Sequence, residues 1–402
     1  MRRFGWLIVV LWPMAALGQA PTPGPEPKPD TLASIKAEAE SAKDAYFKLL
    51  EKEPPEAEAT AAGKAYRSRL LGLIDRALKL ARSHPRQPEA VAASAWVARQ
   101  MISGGGRDME ERGDAAFRLL ADAPVLDDEA IVPAILNAEI VGPRCPQIEP
   151  FLRSVLARSR NRRLRALARF SLGRYLAEMA RIPGRLASPI SGKELTKFLP
   201  KERLDRYRSV DGAKLQGEAE TLLEQVVRED ADIRIRAEIP PLGELAAGDL
   251  YRIRNLSPGR LVPELVGEDI DGAPIWLSDF RGKVVVLSFW ATWCGPCMAF
   301  ISEEKSIVAA MKGRPFVLIG VNGDEPNNRD RVRDAVKKEG ITWRSFWAGG
   351  PDGAIPRKWG VQGWPTVYTI DAKGIIRDDL FTGKLSPAAF EPLVQEAEKA
   401  SR

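Results

Sequence analysis

Between Thr31 and about Asn255 apolar positions recur every three or four residues, as in Leu70, Leu71, Ile74, Leu78 and Ala81, and again in Val91, Ala95, Ala98 and Ile102. That spacing puts them on one face of a 3.6-residue turn, so this half is predicted to be all-α. Breakers at Pro54-Pro55, His84-Pro85, Gly104 to Gly106, Pro143, Pro146, Pro183-Gly184 and Pro240-Pro241 divide the pattern into short helices joined by turns. From Pro258 the period changes. Apolar runs at Lys283 to Trp290, Pro315 to Val321 and Thr366 to Ile370 read as strands, separated by helical patterns at Met298 to Met311, Arg329 to Glu339 and Pro387 to Ala400. A final strand near Gly374 to Leu380 would pair with its predecessor through the turn Asp371-Ala372-Lys373-Gly374. Strands alternating with helices predict an α/β domain with a central sheet flanked by helices.

The helical runs Gly63 to Arg82 and Gln87 to Met101 resemble a tetratricopeptide hairpin, and Glu218 to Arg228 could open another. No strict repeat of about 34 residues runs through the chain, so a repeat solenoid and an irregular bundle stay open. Upstream, Met1-Arg2-Arg3, an apolar run from Phe4 to Leu17 and the ending Gly18-Gln19-Ala20 have the form of a secretory signal peptide cleaved near Ala20. The alternative is an uncleaved anchor, although the run falls short of the roughly 20 residues of a spanning helix. Prolines at 21, 23, 25, 27 and 29 then favour an extended spacer. The expected organisation is a signal peptide at 1–20, a proline-rich linker at 21–30, a helical domain at 31–257 and an α/β domain at 258–402.

The composition of the 402 residues, 45% hydrophobic and 28% charged, is that of a globular protein. The net charge of +6 is too small to imply a nucleic-acid partner, and none is expected. Residues 258–402 carry 19 basic and 19 acidic side chains, which places the excess positive charge upstream. Eight arginines and no acid lie between Arg153 and Arg174. The interleaved Leu164, Leu167, Ala168, Leu172 and Tyr175 make a solvated helix face the expected role for these arginines, with attraction of an acidic partner or membrane as the alternative. Three cysteines and the single histidine, His84, are too few for a structural zinc site, so no metal is expected. His84, before Pro85, is expected to end a helix.

The chemistry concentrates after the most apolar strand, where Trp293-Cys294-Gly295-Pro296-Cys297 leads into a helix. Two cysteines at this spacing can close a small disulfide, and a helix amino end stabilises a thiolate. Cys294, at the helix opening, is expected to be the more exposed nucleophile. Cys297, one turn in, is placed to attack a mixed disulfide. Gly295 and Pro296 shape the turn. Export would let such a pair persist as a disulfide.

These five residues, in a strand-turn-helix setting, resemble the active site of the thioredoxin superfamily. Gly363-Trp364-Pro365-Thr366 resembles the family's cis-proline segment, which implies that the Trp364-Pro365 bond is cis, that Pro365 faces the disulfide and that Trp364 contacts the partner. The stretch Gly267 to Lys283 resembles the opening hairpin of TlpA-like and ResA-like exported oxidoreductases, which plain thioredoxins lack. The resemblance spans 258–402. It implies reduction of disulfide-containing proteins, with electrons from a membrane-bound or dithiol donor and no cofactor beyond the redox-active disulfide. The Gly-Pro pair leans towards the reducing direction.

Three positions depart from these families. Ser288 stands where thioredoxin has a buried Asp, and Phe300 and Ser302 stand where TlpA-like members often have Glu and Pro. The usual base for Cys297 is therefore expected to be missing. Glu303 or Glu304 could substitute from the next turn, although a solvated helix face is the expected setting for both. Cys145, in Gly142-Pro143-Arg144-Cys145-Pro146, is a candidate regulatory thiol or a buried structural one. The function expected is an extracytoplasmic thiol-disulfide oxidoreductase whose helical half recruits or presents a protein partner. The alternatives are a helical adaptor with a weakly active α/β domain and a thiol peroxidase; the vicinal cysteines argue against the latter.

Overall fold

Thr31 stops the extended spacer and starts the first helix: its hydroxyl accepts from the Ser34 amide at 3.2 Å and its own amide donates to Ser34 Oγ at 3.2 Å, which satisfies two amides otherwise left open. The computed structural model describes residues 30–101, 106–361, 363–380 and 386–400. The expected signal peptide, the prolines before Asp30 and the breakers Gly104 and Gly105 lie outside these residues.

The helices of the first half are α1 Leu32–Leu50, α2 Glu56–Ser83, α3 Pro88–Gln100, α4 Arg107–Asp122, α5 Val132–Val141, α6 Ile148–Arg158, α7 Arg162–Ala187, α8 Gly192–Phe198, α9 Lys201–Arg208, α10 Gly212–Glu229 and α11 Leu242–Asn255. Their apolar faces merge into one core that runs from Leu32 to Ile253. The predicted hairpin is α2 packed on α3, with His84 as the C-cap of α2. Pro183 lies inside α7 and does not end it.

The arginine run is a solvated face in part: Arg153, Arg158, Arg160 and Arg162 are exposed, whereas Arg163, Arg165, Arg169 and Arg174 are half-buried. Most of these side chains reach across to other helices or turns. Arg153 pairs with Glu149 and Glu218, Arg162 with Asp232, Arg163 with Glu129, Arg169 with Asp230 and Arg174 with Asp249. Arg165 donates to the Ser159 carbonyl at 2.9 Å. Arg162, Arg169 and Arg174 tie α7 to α10, α11 and the turn between them, Arg153 ties α6 to α10, and Arg163 ties α7 to the turn before α5.

The second half opens with an antiparallel hairpin, β1 Val266–Glu268 on β2 Pro274–Trp276. Its turn is built on Asp269, whose carboxylate accepts from the Asp271 and Ala273 amides and from Arg344. The main sheet consists of β3 Val284–Trp290, β4 Phe316–Asn322, β5 Ser345–Trp347, β6 Thr366–Ile370 and β7 Ile376–Leu380, in the order β5-β4-β3-β6-β7. β3 is parallel to β4 and antiparallel to β6. Every residue of this central strand is buried, which explains a run that is apolar but for Ser288. Among the described residues the helices that complete the unit are α12 Gly295–Ala310, α13 Arg329–Glu339, α14 Ala354–Lys358 and α15 Pro387–Ala400. Val285, Leu287 and Phe289 face one core with Trp359 and Tyr368, whereas Val284 and Val286 face the other with Ile307 and Phe390. This is a thioredoxin-like sheet flanked by helices.

The two halves meet at β7. Tyr368 pairs with Asp379 and Thr369 with Asp378, so the two aspartates point to opposite faces of the sheet edge. On one face Asp379 pairs with Arg181 and lies 3.6 Å from Arg185 Nε, both from α7. On the other, Asp378 accepts from Ser188 Oγ and, at 2.7 Å, from Ser191 Oγ, while Ile190 enters the core shared with α15. The end of α7 and the turn after it therefore grip the edge strand from both sides.

Candidate active site

The reactive pair sits where β3 gives way to α12. Cys294 is the N-cap of α12; Gly295 and Pro296 form its first turn, where proline costs no hydrogen bond. Cys294 and Cys297 are joined in a disulfide, and Cys294 Sγ accepts from the Cys297 amide at 3.1 Å. That contact is the N-cap interaction which, after reduction, favours a thiolate on Cys294. The expected contrast in exposure is small, because Cys294 is 5% and Cys297 2% exposed in the closed disulfide.

Asp324, which follows β4, ties down the turn before the pair. Its carboxylate accepts from the Thr292 amide at 2.8 Å, from Thr292 Oγ1 at 2.5 Å and from Asn322 Nδ2 at 3.0 Å. The short polar run Asn322-Gly323-Asp324 after an apolar strand was the available signal for it.

The Trp364-Pro365 peptide is cis. Trp364 packs edge-on against Trp293, 5.6 Å between ring centres, and shares the apolar surroundings of both cysteines. Trp293 is half exposed. Gly323 gives the Trp364 ring its seat, since a Cβ there would stand 2.2 Å from the ring. Gly323→Ala is expected to displace Trp364 at a cost of about 1–3 kcal/mol. Denaturant unfolding and tryptophan fluorescence check this, and unchanged values for both would remove the seat from the account.

Residues 258–379 match the AhpC/TSA family. The thiol-disulfide oxidoreductase ResA of Bacillus thuringiensis subsp. konkukian (strain 97-27) is 30% identical over 136 residues, covering 34% of this chain and 76% of the relative. The chain belongs to the ResA-type thiol-disulfide oxidoreductases. ResA of Bacillus subtilis (strain 168) is 29% identical over 120 residues, 30% of this chain and 65% of its own length. A solved thiol:disulfide interchange protein of the thioredoxin family from Chlorobium tepidum TLS is 28% identical, covering 35% of this chain and 94% of that one with a TM-score of 0.30.

Within this ResA-type domain Phe300 is half-buried against the core shared with α15 and offers no base. Glu304 reverses the expectation of a solvated face: it is 3% exposed. Burial raises its pKa to about 7, Ser288 opposes the rise and Glu303 adds to it. The Ser288 hydroxyl lies near enough to act on the carboxyl, yet neither Ser288 Oγ nor Glu304 Oε1 has a hydrogen bond of ordinary geometry. Since the folded pKa exceeds the unfolded 4.5, the native state holds the extra proton between these values. This contribution to stability is therefore complete below about pH 4.5 and is lost as pH rises through 7. The loss is on the order of 3 kcal/mol for some 2.5 pKa units. Unfolding at pH 5 and pH 8.5 should show it in the native protein and not in Glu304→Gln; equal slopes in both would contradict it.

Cys145 is not brought to the ResA-type site. It lies fully buried in the helical core, with Sγ 3.8 Å from Met101 Sδ, and burial pushes its thiol up to about 12. A thiol so buried and so rarely ionised is quiet in the folded protein, against the regulatory alternative. His84 is likewise remote from the disulfide's cluster, at the end of α2.

Proposed function

We propose that the protein is an extracytoplasmic dithiol reductase of protein disulfides that uses no cofactor beyond its own redox-active pair. The observation that carries this reading is the closed Cys294–Cys297 disulfide at the amino end of α12, beside the half-exposed Trp293 and the Trp364-Pro365 segment. In the reduced form the Cys294 thiolate attacks a substrate disulfide and forms a mixed disulfide. Cys297 then attacks Cys294, closing the internal bond and releasing the substrate dithiol. A membrane-bound or small dithiol donor restores the pair.

The export-type leader, Met1 to Ala20, supports a place outside the cytoplasm. Among the described residues no helix is long and apolar enough to cross a membrane. The helical half is assigned the task of holding a protein partner beside the site. Support comes from its grip on β7, whose last residues pair with Val367 and Tyr368 just after Pro365. The vicinal pair gives a peroxidase reading no support.

The test is dithiol-dependent reduction of a model protein disulfide by the full chain. Turnover that disappears when both thiols are alkylated is expected. An adaptor with an inert pair predicts no turnover, and that result would overturn the proposal.

A further inference from the structure

The face of the central sheet that continues below the disulfide carries an unusual polar group. Three buried side-chain oxygens there make no hydrogen bond of ordinary geometry: Ser288 Oγ on β3, Thr369 Oγ1 on β6 and Glu304 Oε1 on α12. Ser288 lies in strand alternation with Val284, Val286 and Trp290, and Thr369 is paired with Val286, so both face α12 and α15. Glu304 follows Cys297 by seven residues on one helix. At about 100° per residue it returns to within about 20° of the same face, two turns on. Ile301, between them, belongs to the buried cluster that holds both cysteines, so the face from Cys297 to Glu304 is turned inward throughout.

A carboxyl buried without a cation is costly when charged, and an unpartnered one is costly even when neutral. The groups that bear on Glu304 offer no relief. Glu303 on the same helix repels its charge, and β3 supplies only the Ser288 hydroxyl. Phe316–Asn322, the β4 strand, has no ionisable side chain. On α15, Glu391 and Glu398 are engaged by Arg314, and Glu396 by Lys373. Lys305 donates to the Glu339 carbonyl, away from the pair. The carboxyl is therefore held where it can exchange a proton and is not tied up in an ion pair.

We infer that Glu304, acting through the Ser288 hydroxyl, takes the proton of Cys297 when the mixed disulfide is resolved. The inference rests on the dithiol reading above. Seven residues span about 10.5 Å along the helix axis; both side chains lean towards the amino end, and the longer glutamate reaches further back along that face than the cysteine sulfur does. The Ser288 hydroxyl, which acts on the Glu304 carboxyl from β3, is assigned the relay across the gap that remains. Glu304 is thus a positioning residue.

In the step, the Cys297 thiol passes its proton by way of Ser288 to the Glu304 carboxylate. The Cys297 thiolate attacks Cys294, the Cys294–Cys297 bond forms and the bond from Cys294 to the substrate sulfur breaks. The electron pair of that bond leaves with the substrate thiolate, which takes up a proton from solvent, and Glu304 later returns its own. The protein dithiol is oxidised and the substrate disulfide is reduced. A pKa near 7 matches this duty, because the group is then part-charged at neutral pH and can both accept and release.

The full-length reduced protein is mixed with a small excess of the aromatic disulfide 5,5′-dithiobis(2-nitrobenzoate) across pH 5 to 9. The first release of thionitrobenzoate reports attack by Cys294, and the second reports attack by Cys297. The second phase of the native protein is expected to rise through an inflection near pH 7. Glu304→Gln should lose that inflection and slow the second phase at pH 7 by at least about tenfold, leaving the first phase unchanged. Ser288→Ala, which keeps the carboxyl, should change the second phase in the same direction and serves if Glu304→Gln does not fold. Absence of both phases in the native protein would overturn the dithiol reading itself. A native second phase without the inflection, or variants that keep the native profile, would overturn the role of Glu304 alone.

Discussion

Cys294→Ser is expected to reduce dithiol-driven disulfide reduction to the uncatalysed background, whereas Cys297→Ser should retain the first attack and accumulate mixed disulfides. The asymmetry follows from the helix start. Cys294 occupies the N-cap, and its sulfur accepts from the Cys297 amide, so the free N–H groups and helix dipole act on that sulfur first. Serine there keeps the cap and the fold but has no sulfur to exchange. Cys297 lies one turn in, bonded to Cys294 in the closed pair, and is placed to attack Cys294 and close the internal disulfide. Non-reducing electrophoresis after mixing with a disulfide protein checks both variants. Covalent adducts on Cys297→Ser that dissolve with dithiothreitol are expected; adducts on Cys294→Ser instead would reverse the assignment.

Asp379→Ala should loosen the two halves at a cost of about 3–5 kcal/mol. Asp379 is 5% exposed and stands among Arg181 and Arg185, with Glu178 beside them. Burial pulls the Arg181 pKa down and its arginine neighbours Arg252 and Arg185 add to this, so the guanidinium depends on acidic partners. Burial pushes Glu178 up, but Arg185, Arg181 and Arg252 outweigh it and hold the carboxyl below its ordinary value. Removing Asp379 leaves buried positive charge uncompensated, whereas replacing both ends of the pair removes the charge problem. Asp379→Leu combined with Arg181→Met should therefore recover most of the loss. Chemical denaturation is expected to show two separated transitions for Asp379→Ala and one for the native protein and the double variant. A single unshifted transition in Asp379→Ala would show that the clamp contributes nothing.

The strands of the second half were legible because β3 and β4 are covered on both faces and so read as almost wholly apolar runs. The cysteine pair was legible because its spacing and helix entry carry the chemistry themselves. β5 went unread: three residues, Ser345 to Trp347, at the edge of the sheet carry too little pattern. The apolar pattern of the helix after the cysteines shows only from Met298, because Gly295-Pro296 carries no periodicity, although the helix opens there and proline suits its first turn. Glu304 was misjudged because adjacent acids normally mark a solvated face. The lone Ser288 in an apolar strand and the seven-residue step from Cys297 were the cues to its burial. The arginine partners were hidden for another reason: Asp230 and Asp232 lie 61 and 70 residues from the arginines they meet, a distance only folding closes.

The reduction potential of the Cys294–Cys297 pair tests the central claim most directly. The full-length protein is equilibrated in graded dithiol buffers and its free thiols are trapped. A reductase requires a two-electron transition near about −250 mV or below, in the range of reducing thioredoxin-like pairs. A midpoint near about −120 mV, or a pair that never equilibrates with the buffer, would contradict it.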